Sequence, residues 1–360
     1  MNKRNFIKSL GLGSLAMIEP GIASKAANIL KPAAAAKVQH RVWVNPDHKD
    51  TAADLKLRYA SYKAAGIGVI YFEEDSELHF RTAKEAGIAA HRWFWTMNRP
   101  DKNLMAQHPE FYSESRKGES CVDKPPYVGY YRFVCPNKPG VVDYLKSQAE
   151  QILSKDYVDG IHLDYIRFVD VILPVNLWKN YGIDQSRELP EYDFCYCKTC
   201  REKYQQAYGI DPLTMEHPDQ SPSWRKFRYD SITNVVSNMA GVAHRHKKPI
   251  TAAVFPTPEI AKRIVRQDWV NWPLDAVCPM IYHGFYSEGV KWIGDAVAEG
   301  VKALHGSFPL YAGLYLPDFK GKDADVREGI RLALQNGAAG VSIFGSLTPS
   351  LLNILRETAS

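Results

Sequence analysis

Eight short runs of β-branched and aromatic residues recur along the chain, separated by amphipathic stretches, and this repeat limits the fold more than any other feature. The predicted strands are 41–45, 68–73, 89–95, 160–166, 251–255, 276–282, 310–315 and 340–344. The predicted helices are 51–64, 76–86, 140–155, 224–246, 260–271, 287–304, 323–336 and 349–358. Eight α/β units in this length predict a closed (β/α)₈ TIM barrel, and no Gly-x-Gly-x-x-Gly motif of a dinucleotide-binding sheet follows the first strand.

Two of the predicted connections are longer than a barrel requires. They span 97–137, after the third predicted strand, and about 170–223, after the fourth. Long connections in a compact domain are usually functional or separately stabilised, and in this fold the loops after the strands form the face that carries the chemistry. We therefore expect both insertions to flank one cleft at the C-terminal end of the barrel.

The first 36 residues have the composition of an export signal. Lys3, Arg4 and Lys8 surround the start of a short apolar run, which is followed by small residues up to Ala36. Residues 3–8 are similar to a twin-arginine signal with lysine in the first position, so both the Tat and the Sec routes stay open. We expect a signal over 1–36 and a single catalytic domain over 37–360. The protein is predicted to be exported, periplasmic or secreted, without a membrane anchor in the mature chain.

The net charge is concentrated in that first segment. Of the formal charge of +5 on the 360-residue chain, residues 1–36 carry +4, which leaves +1 for the rest. A nearly neutral body without a basic run interleaved with aromatics has no electrostatic footprint for nucleic acid or anionic lipid. Nucleic acid is therefore not an expected partner, and no pattern in the sequence indicates the number of subunits.

The end of the fourth predicted strand carries an acid that lacks a simple structural role. The two-residue period of a strand places His162 and Asp164 on one face, with Ile161 and Leu163 on the other. A buried carboxylate must be paired or its pKa rises, and perturbed acids concentrate at functional sites. Asp164 is thus the leading catalytic candidate. The structural alternative is a buried pair with Arg167 or His162 that braces the barrel.

Four motifs occur in a fixed order along most of the chain. They are Cys-Pro-Asn-Lys-Pro at 135–139, Val-Asp-Gly-Ile-His-Leu-Asp-Tyr-Ile-Arg at 158–167, Gln-Asp-Trp-Val-Asn-Trp at 267–272, and Asp275 followed by Pro-Met-Ile-Tyr at 279–282. Together they resemble the bacterial glycoside-hydrolase-like family 10 proteins. The resemblance implies a secreted (β/α)₈ barrel that acts on glycosidic bonds, without implying a particular sugar. The core of the second motif is also similar to the fourth-strand motif of alpha-amylase-like and alpha-galactosidase-like barrels, which implies that Asp164 is the nucleophile.

Cleavage of a glycosidic bond ordinarily needs two carboxyl groups, so Asp164 needs a partner. We select two candidates, Glu74 in the acidic run that ends the second predicted strand and Glu259 after the fifth. Structural roles compete with both, because Asp75 or Ser76 can cap the next helix and Glu259 can sit in a first helical turn. The remaining acids near predicted strand ends are Glu73, Asp75, Asp170 and Asp318.

Side chains suited to a sugar ring cluster at the predicted strand ends. Flat aromatic rings fit the apolar faces of sugars, and hydrogen-bonding side chains fit the hydroxyl groups. For any single residue, core packing is the alternative. Trp269 and Trp272 are instead expected to pack a helix that Asp268 caps. The candidate substrate-binding residues are His91, Trp93, Trp95, His162, Arg167, Tyr282, His283 and Tyr315.

Three cysteines lie close together in the second insertion, at Cys195, Cys197 and Cys200. Three thiols at this spacing favour a structural zinc site when a fourth ligand folds back onto them. In an oxidising compartment the rival is a set of disulfides, with Cys121 to Cys135 as a second loop staple. No cofactor is expected for catalysis. The candidate fourth ligands are Cys121, Cys135 and His217.

The sequence therefore predicts an exported glycoside hydrolase that cleaves an oligo- or polysaccharide with a carboxylate pair including Asp164. Two other functions stay open. A non-catalytic barrel that only binds polysaccharide would lack a second carboxyl within about 10 Å of Asp164. A metal-dependent hydrolase would need His91, His162 and His283 to converge at about 2.1 Å from one ion.

Overall fold

The computed structural model describes residues 38–359, and these residues form a closed barrel of eight parallel strands. The sheet order is β6-β5-β4-β3-β2-β1-β8-β7, and parallel bridges from Val277 to Leu310 and from Met280 to Gly313 join β6 to β7. The predicted (β/α)₈ barrel is thus confirmed, while the predicted export signal lies outside the described residues. The strands are β1 His40–Val44, β2 Ile67–Phe72, β3 Ala89–Trp95, β4 Gly160–Asp164, β5 Ile250–Val254, β6 Ala276–Pro279, β7 Tyr311–Tyr315 and β8 Gly340–Phe344.

The helices alternate with the strands, as the sequence predicted. Three helices begin with the same N-cap arrangement. The hydroxyls of Ser221, Thr257 and Thr348 each accept a hydrogen bond from the backbone amide three residues later, and a proline follows each cap as the first helical residue. Over residues 38–359 no helix has the length and apolarity needed to cross a bilayer. The helices are α1 Ala52–Ala64, α2 Glu77–Glu85, α3 Lys102–Gln107, α4 Val141–Leu153, α5 Trp178–Tyr181, α6 Lys198–Tyr208, α7 Pro222–Arg245, α8 Pro258–Val265, α9 Trp292–Leu304, α10 Asp323–Gln335 and α11 Pro349–Thr358.

The helix after β5 ends earlier than predicted. The sequence pattern predicts a helix over 260–271, but α8 ends at Val265 because Arg266 adopts a left-handed conformation with φ of 61°. Trp269 begins a separate 3₁₀ turn, and Asp268 makes no capping hydrogen bond with its side chain, so the predicted cap is wrong. Trp269 and Trp272 are buried, as expected for packing residues.

The interior of the barrel is filled by side chains that alternate along the strands, in a mixture of aromatic and polar groups. The rings of Tyr71 and His162 stack with 3.7 Å between their centroids. Burial lowers the pKa of His91 to about 3 and that of His162 well below its ordinary value, which favours the neutral form of both imidazoles. This packed interior forms the floor beneath the C-terminal face of the barrel.

The two long insertions pair with each other. Ser115 of the first and Phe194 of the second form an antiparallel bridge, and the amide of Tyr196 donates to the carbonyl of Glu114 at 2.9 Å. Each insertion thereby satisfies backbone groups of the other, although neither contributes a strand to the barrel.

Candidate active site

A cavity of about 670 Å³ opens at the C-terminal end of the barrel. Side chains at the strand ends form its floor, and both insertions contribute to its walls. Such a cavity is where barrel enzymes carry their reactive groups. The lining residues from the strand ends include Trp43, Asn45, Glu73, Trp93, Trp95, Asp164, Phe255, Met280, Tyr282 and Phe344, and those from the insertions include Tyr127, Tyr130, Tyr131, Leu173, Pro174, Leu177 and Tyr181.

Asp164 is the last residue of β4 and lines this cavity. Its carboxylate accepts a hydrogen bond from Trp93 Nε1 at 2.8 Å and another from the amide of Tyr165 at 2.6 Å. Burial raises the pKa of Asp164 above its ordinary value, while these two donors and the charge of Arg167 oppose the shift. Tyr165 adopts a left-handed conformation with φ of 48°, a strained geometry for a side chain of this size that concentrates at functional sites.

Glu73, rather than the predicted Glu74, shares the cavity with Asp164. The alternation of β2 points Tyr71 into the barrel, and Glu73 follows two residues later on the same face. Glu74 does not line this cavity: its side chain is 55% exposed, and its carboxylate pairs with His48 at 3.0 Å. Burial raises the pKa of Glu73, and the negative charges of Glu74 and Asp164 raise it further. Glu74 therefore does not share this cavity with Asp164, and its catalytic role stays a prediction.

The structural alternative for Asp164, a buried pair with Arg167, is not formed. Arg167 instead pairs with Asp170, with 2.7 Å between Nη1 and Oδ2, and both side chains are almost fully buried. The Arg167 guanidinium also lies 5.2 Å from the ring centre of Phe255. The pair belongs to the cavity wall, where Arg167 holds the backbone after β4 in place and adds positive charge near Asp164.

Several predicted site residues lie away from the cavity, among them Glu259, His162 and His91. Glu259 is exposed in the first turn of α8, which is its structural alternative. His162 lies deeper in the barrel, where Trp43 Nε1 donates to its Nε2 at 2.9 Å and its Nδ1 contacts Thr251 Oγ1 at 2.8 Å. His91 is buried beside it, four residues before the end of β3. None of the three lines the cavity, because Glu259 is on the outside of the barrel and both histidines are buried in its interior, so these positions do not fit the roles predicted for them.

Of the other predicted binding residues, Trp93, Trp95, Arg167 and Tyr282 line the cavity. Tyr315 lies behind Tyr282, with 5.3 Å between the ring centres, and supports the lining.

His283 does not face the cavity. It is buried beside Asp318, with 3.9 Å between Nδ1 and Oδ2. Over residues 38–359, the only group of three or more potential metal ligands that lie within coordinating distance of one another is a cluster of cysteines. The arrangement required for a metal-dependent hydrolase, with His91, His162 and His283 around one ion, is therefore not formed.

The aromatic wall is larger than the sequence prediction. Trp95 packs against Tyr165, with 4.7 Å between ring centres, and Tyr130 lies 6.2 Å from Trp95. Tyr127, Tyr130 and Tyr131 come from the first insertion and were not among the predicted site residues. Three tyrosines within five residues of a long loop after a strand were a signal that sequence reasoning could have used.

A second, more polar cavity of about 680 Å³ adjoins the first. The two cavities share Glu73, Trp93 and Trp95 as lining residues, so Glu73 lies at their junction. Polar side chains dominate the second cavity, among them Glu74, Asp75, Arg92, Asn98, Arg99, Asp101 and Lys155.

The cysteine cluster lies where the two insertions meet. The fourth member is Cys135, and the four sulfur atoms all lie within 4.8 Å of one another. The predicted staple between Cys121 and Cys135 is wrong, since both thiols are free and Cys135 faces the second insertion. The other members are Cys195, Cys197 and Cys200, and all four side chains are buried.

No protein-family model matches the chain, and the curated proteins contain no match by sequence. The glycoside hydrolase domain of PgaB (BpsB) from Bordetella bronchiseptica is similar in structure, with a TM-score of 0.66 at 12% identity over 90% of this chain and 99% of that one. A beta-galactosidase from the psychrophilic Marinomonas ef1 has a TM-score of 0.58 at 10% identity, over 89% of this chain and 59% of that one. The catalytic domain of beta-amylase from Paenibacillus polymyxa has a TM-score of 0.58 at 12% identity, over 91% of this chain and 98% of that one. At these identities the likeness establishes a shared barrel fold.

Proposed function

We propose that this protein is an exported glycoside hydrolase that cleaves an O-glycosyl bond with Asp164 and Glu73 as its carboxylate pair. One observation carries the proposal: Asp164 at the end of β4 and Glu73 just after β2 both have raised pKa values and line a single aromatic cavity at the C-terminal end of the barrel. The third acid of this cavity, Asp170, is paired with Arg167 and is therefore not the proposed partner. The glycoside hydrolases that share the fold support this class of reaction, as does the sequence resemblance to the bacterial glycoside-hydrolase-like family 10 proteins.

The two acids have different surroundings, which supports a different catalytic role for each of them. Asp164 accepts two N–H donors, which stabilise its carboxylate form. Burial and the negative charges of Glu74 and Asp164 raise the pKa of Glu73 against the opposing charge of Arg92, which favours its protonated form. When the environments of two acids differ in this way, the proton stays on one and the charge on the other. In our proposal, Glu73 protonates the leaving glycosidic oxygen, and Asp164 attacks the anomeric carbon or activates the water that does.

The shape of the site favours an oligo- or polysaccharide over a single sugar. The first cavity offers aromatic faces for sugar rings, and the second offers charged and amide groups for hydroxyls. Because Glu73 lies where they meet, a chain of sugars can extend to both sides of the proposed general acid. This arrangement supports cleavage within such a chain as part of the proposal.

Export is the part of the proposal that depends on residues 1–36 alone. The composition of that segment supports a removable signal. The mass of the mature chain, recovered from the periplasm or medium of the native host, tests it, and a cytoplasmic chain that retains residues 1–36 would contradict it.

The catalytic part is tested with a glycan panel assayed for both binding and release of reducing ends. Wild type is expected to cleave at least one glycan. Asp164→Asn, a nearly isosteric change, is expected to bind the same glycan but cleave it at least about 100-fold more slowly. Undiminished cleavage by the variant would contradict the proposal. Binding without cleavage by the wild type across the panel would favour a non-catalytic barrel.

A further inference from the structure

Four buried cysteines from both insertions converge on one point, and nothing in the proposed glycosidase chemistry uses them. Cys135 closes the first insertion, while Cys195, Cys197 and Cys200 belong to the second. None of them is in a disulfide. We propose that these four thiolates bind one structural zinc ion, which fastens the two insertions to each other.

The spacing of the sulfur atoms matches a tetrahedral metal site. Four thiolates at about 2.3 Å from zinc form a tetrahedron with edges of about 3.8 Å. Cys135 Sγ lies 3.8 Å from Cys197 Sγ and 3.3 Å from Cys200 Sγ. All four sulfurs lie within 4.8 Å of one another, so each can reach a common centre with a small movement of its side chain.

Hydrogen-bond donors surround the sulfurs as they do in metal thiolate sites. The amide of Glu114 donates to Cys195 Sγ at 3.3 Å, and the amide of Asn137 donates to Cys135 Sγ at 3.4 Å. The side-chain amide of Asn137 also donates to Cys200 Sγ at 3.4 Å. N–H donors of this kind spread the negative charge of thiolates and orient the ligands. These donors would stabilise negatively charged thiolates, whereas buried neutral thiols do not need such donors.

The site is closed, which makes it structural. All four cysteines are at most 1% exposed, so no coordination position is left for water or substrate. A zinc ion here would cross-link residue 135 to residues 195–200 and stabilise two long segments that contribute no strand to the barrel. The same segments supply Tyr127, Tyr131 and Tyr181 to the cavity wall, so the metal would hold that wall in place.

The test measures metal directly and needs no substrate, so its outcome is independent of the proposed glycosidase activity. The full chain, purified without chelator, is expected to contain about one zinc per chain by elemental analysis. A mercurial thiol reagent should release this zinc. Protein refolded with cobalt(II) should show the visible absorption of a tetrahedral tetrathiolate. Cys197→Ala should lower the bound zinc at least about tenfold.

The matched control is Cys121→Ala, which removes another buried cysteine of the first insertion that lies outside the cluster. This variant should keep about one zinc per chain. A wild-type protein without zinc would overturn the proposal, as would non-reducing peptide mapping that finds a disulfide at any of the four cysteines. These two wild-type measurements decide the question even if Cys197→Ala does not fold.

Discussion

Trp93→Phe removes one of the two hydrogen bonds that stabilise the Asp164 carboxylate, and the structure sets the size of the effect. A hydrogen bond to a charged group contributes about 1.5–3 kcal/mol. One pKa unit corresponds to about 1.4 kcal/mol, so the loss corresponds to about 1–2 units. The amide of Tyr165 keeps its bond, and water can enter the open cavity beside Asp164. We therefore expect the lower limit, a rise of about one unit in the pKa of Asp164.

The direction of the shift follows from which form the bond favours. Trp93 Nε1 donates to the charged form of Asp164, so its removal makes the proton bind more tightly. Titration of the ¹³Cγ resonance of labelled aspartate measures this pKa without a substrate. With a substrate, the acidic limb of the pH profile of kcat/KM should move to higher pH by the same amount, because Asp164 acts as the anion.

Trp95→Phe is the matched control. Trp95 lines the same cavity, but its Nε1 is buried without a hydrogen-bond partner among residues 38–359. The change removes the same indole N–H and leaves the bonds to Asp164 intact. If the two variants shift the pKa of Asp164 equally, or if Trp93→Phe leaves it unchanged, the assignment of Trp93 as the group that stabilises the carboxylate is refuted.

Two further predictions concern the framework around the site. Asp193→Asn leaves the buried Arg228 without its carboxylate partner and should lower the free energy of unfolding by about 3–5 kcal/mol in urea titrations. At the exposed Asp230, Asp230→Asn should lower the free energy of unfolding by less than about 1 kcal/mol. A similar loss of stability in the two variants would contradict the reasoning. Gly340→Ala places a Cβ 1.9 Å from a backbone carbonyl before β1 and should cost about 3 kcal/mol, measured in the same way. Gly289→Ala meets open space and should be neutral, so a tolerated Gly340→Ala would show that β8 can shift.

The sequence was sufficient for the fold because the periodicity of each unit is local. Each β/α unit carries its own alternation and its own helix signal, and parallel strands linked by helices have few ways to close. The end of α8 was missed because Arg266 adopts a left-handed conformation that only glycine would have indicated.

Part of the site could be predicted from the sequence, again because strand periodicity is local. Asp164 was identified because strand alternation and its place at the end of β4 are both visible in the sequence. Glu73 was missed because the alternation of β2 was not continued past the strand end, where Tyr71 and Glu73 share a face and Glu74 does not. The sequence also does not show how deep in the barrel a strand residue lies. His91 was therefore predicted to line the cleft, although it is buried below the floor of the cavity.

The sequence named Cys135 as one of three candidate fourth ligands but could not choose among them. Cys135 lies 60 residues before Cys195 in the chain, and no spacing rule connects the two. They meet because the backbones of the two insertions pair near Ser115 and Phe194. Such a contact between two irregular segments depends on their tertiary packing, which a local pattern does not encode.

The central claim is that Asp164 and Glu73 form the carboxylate pair, and the most direct test compares Glu73 with Glu259, a glutamate that lines neither cavity. Once a cleaved glycan is known, kcat/KM is measured for Glu73→Gln and for Glu259→Gln. We predict that Glu73→Gln lowers kcat/KM at least about 100-fold, since it removes the proposed general acid. Glu259→Gln, in the exposed first turn of α8, should stay within about threefold of the wild type. An active Glu73→Gln, or an equal loss in Glu259→Gln, would contradict the account.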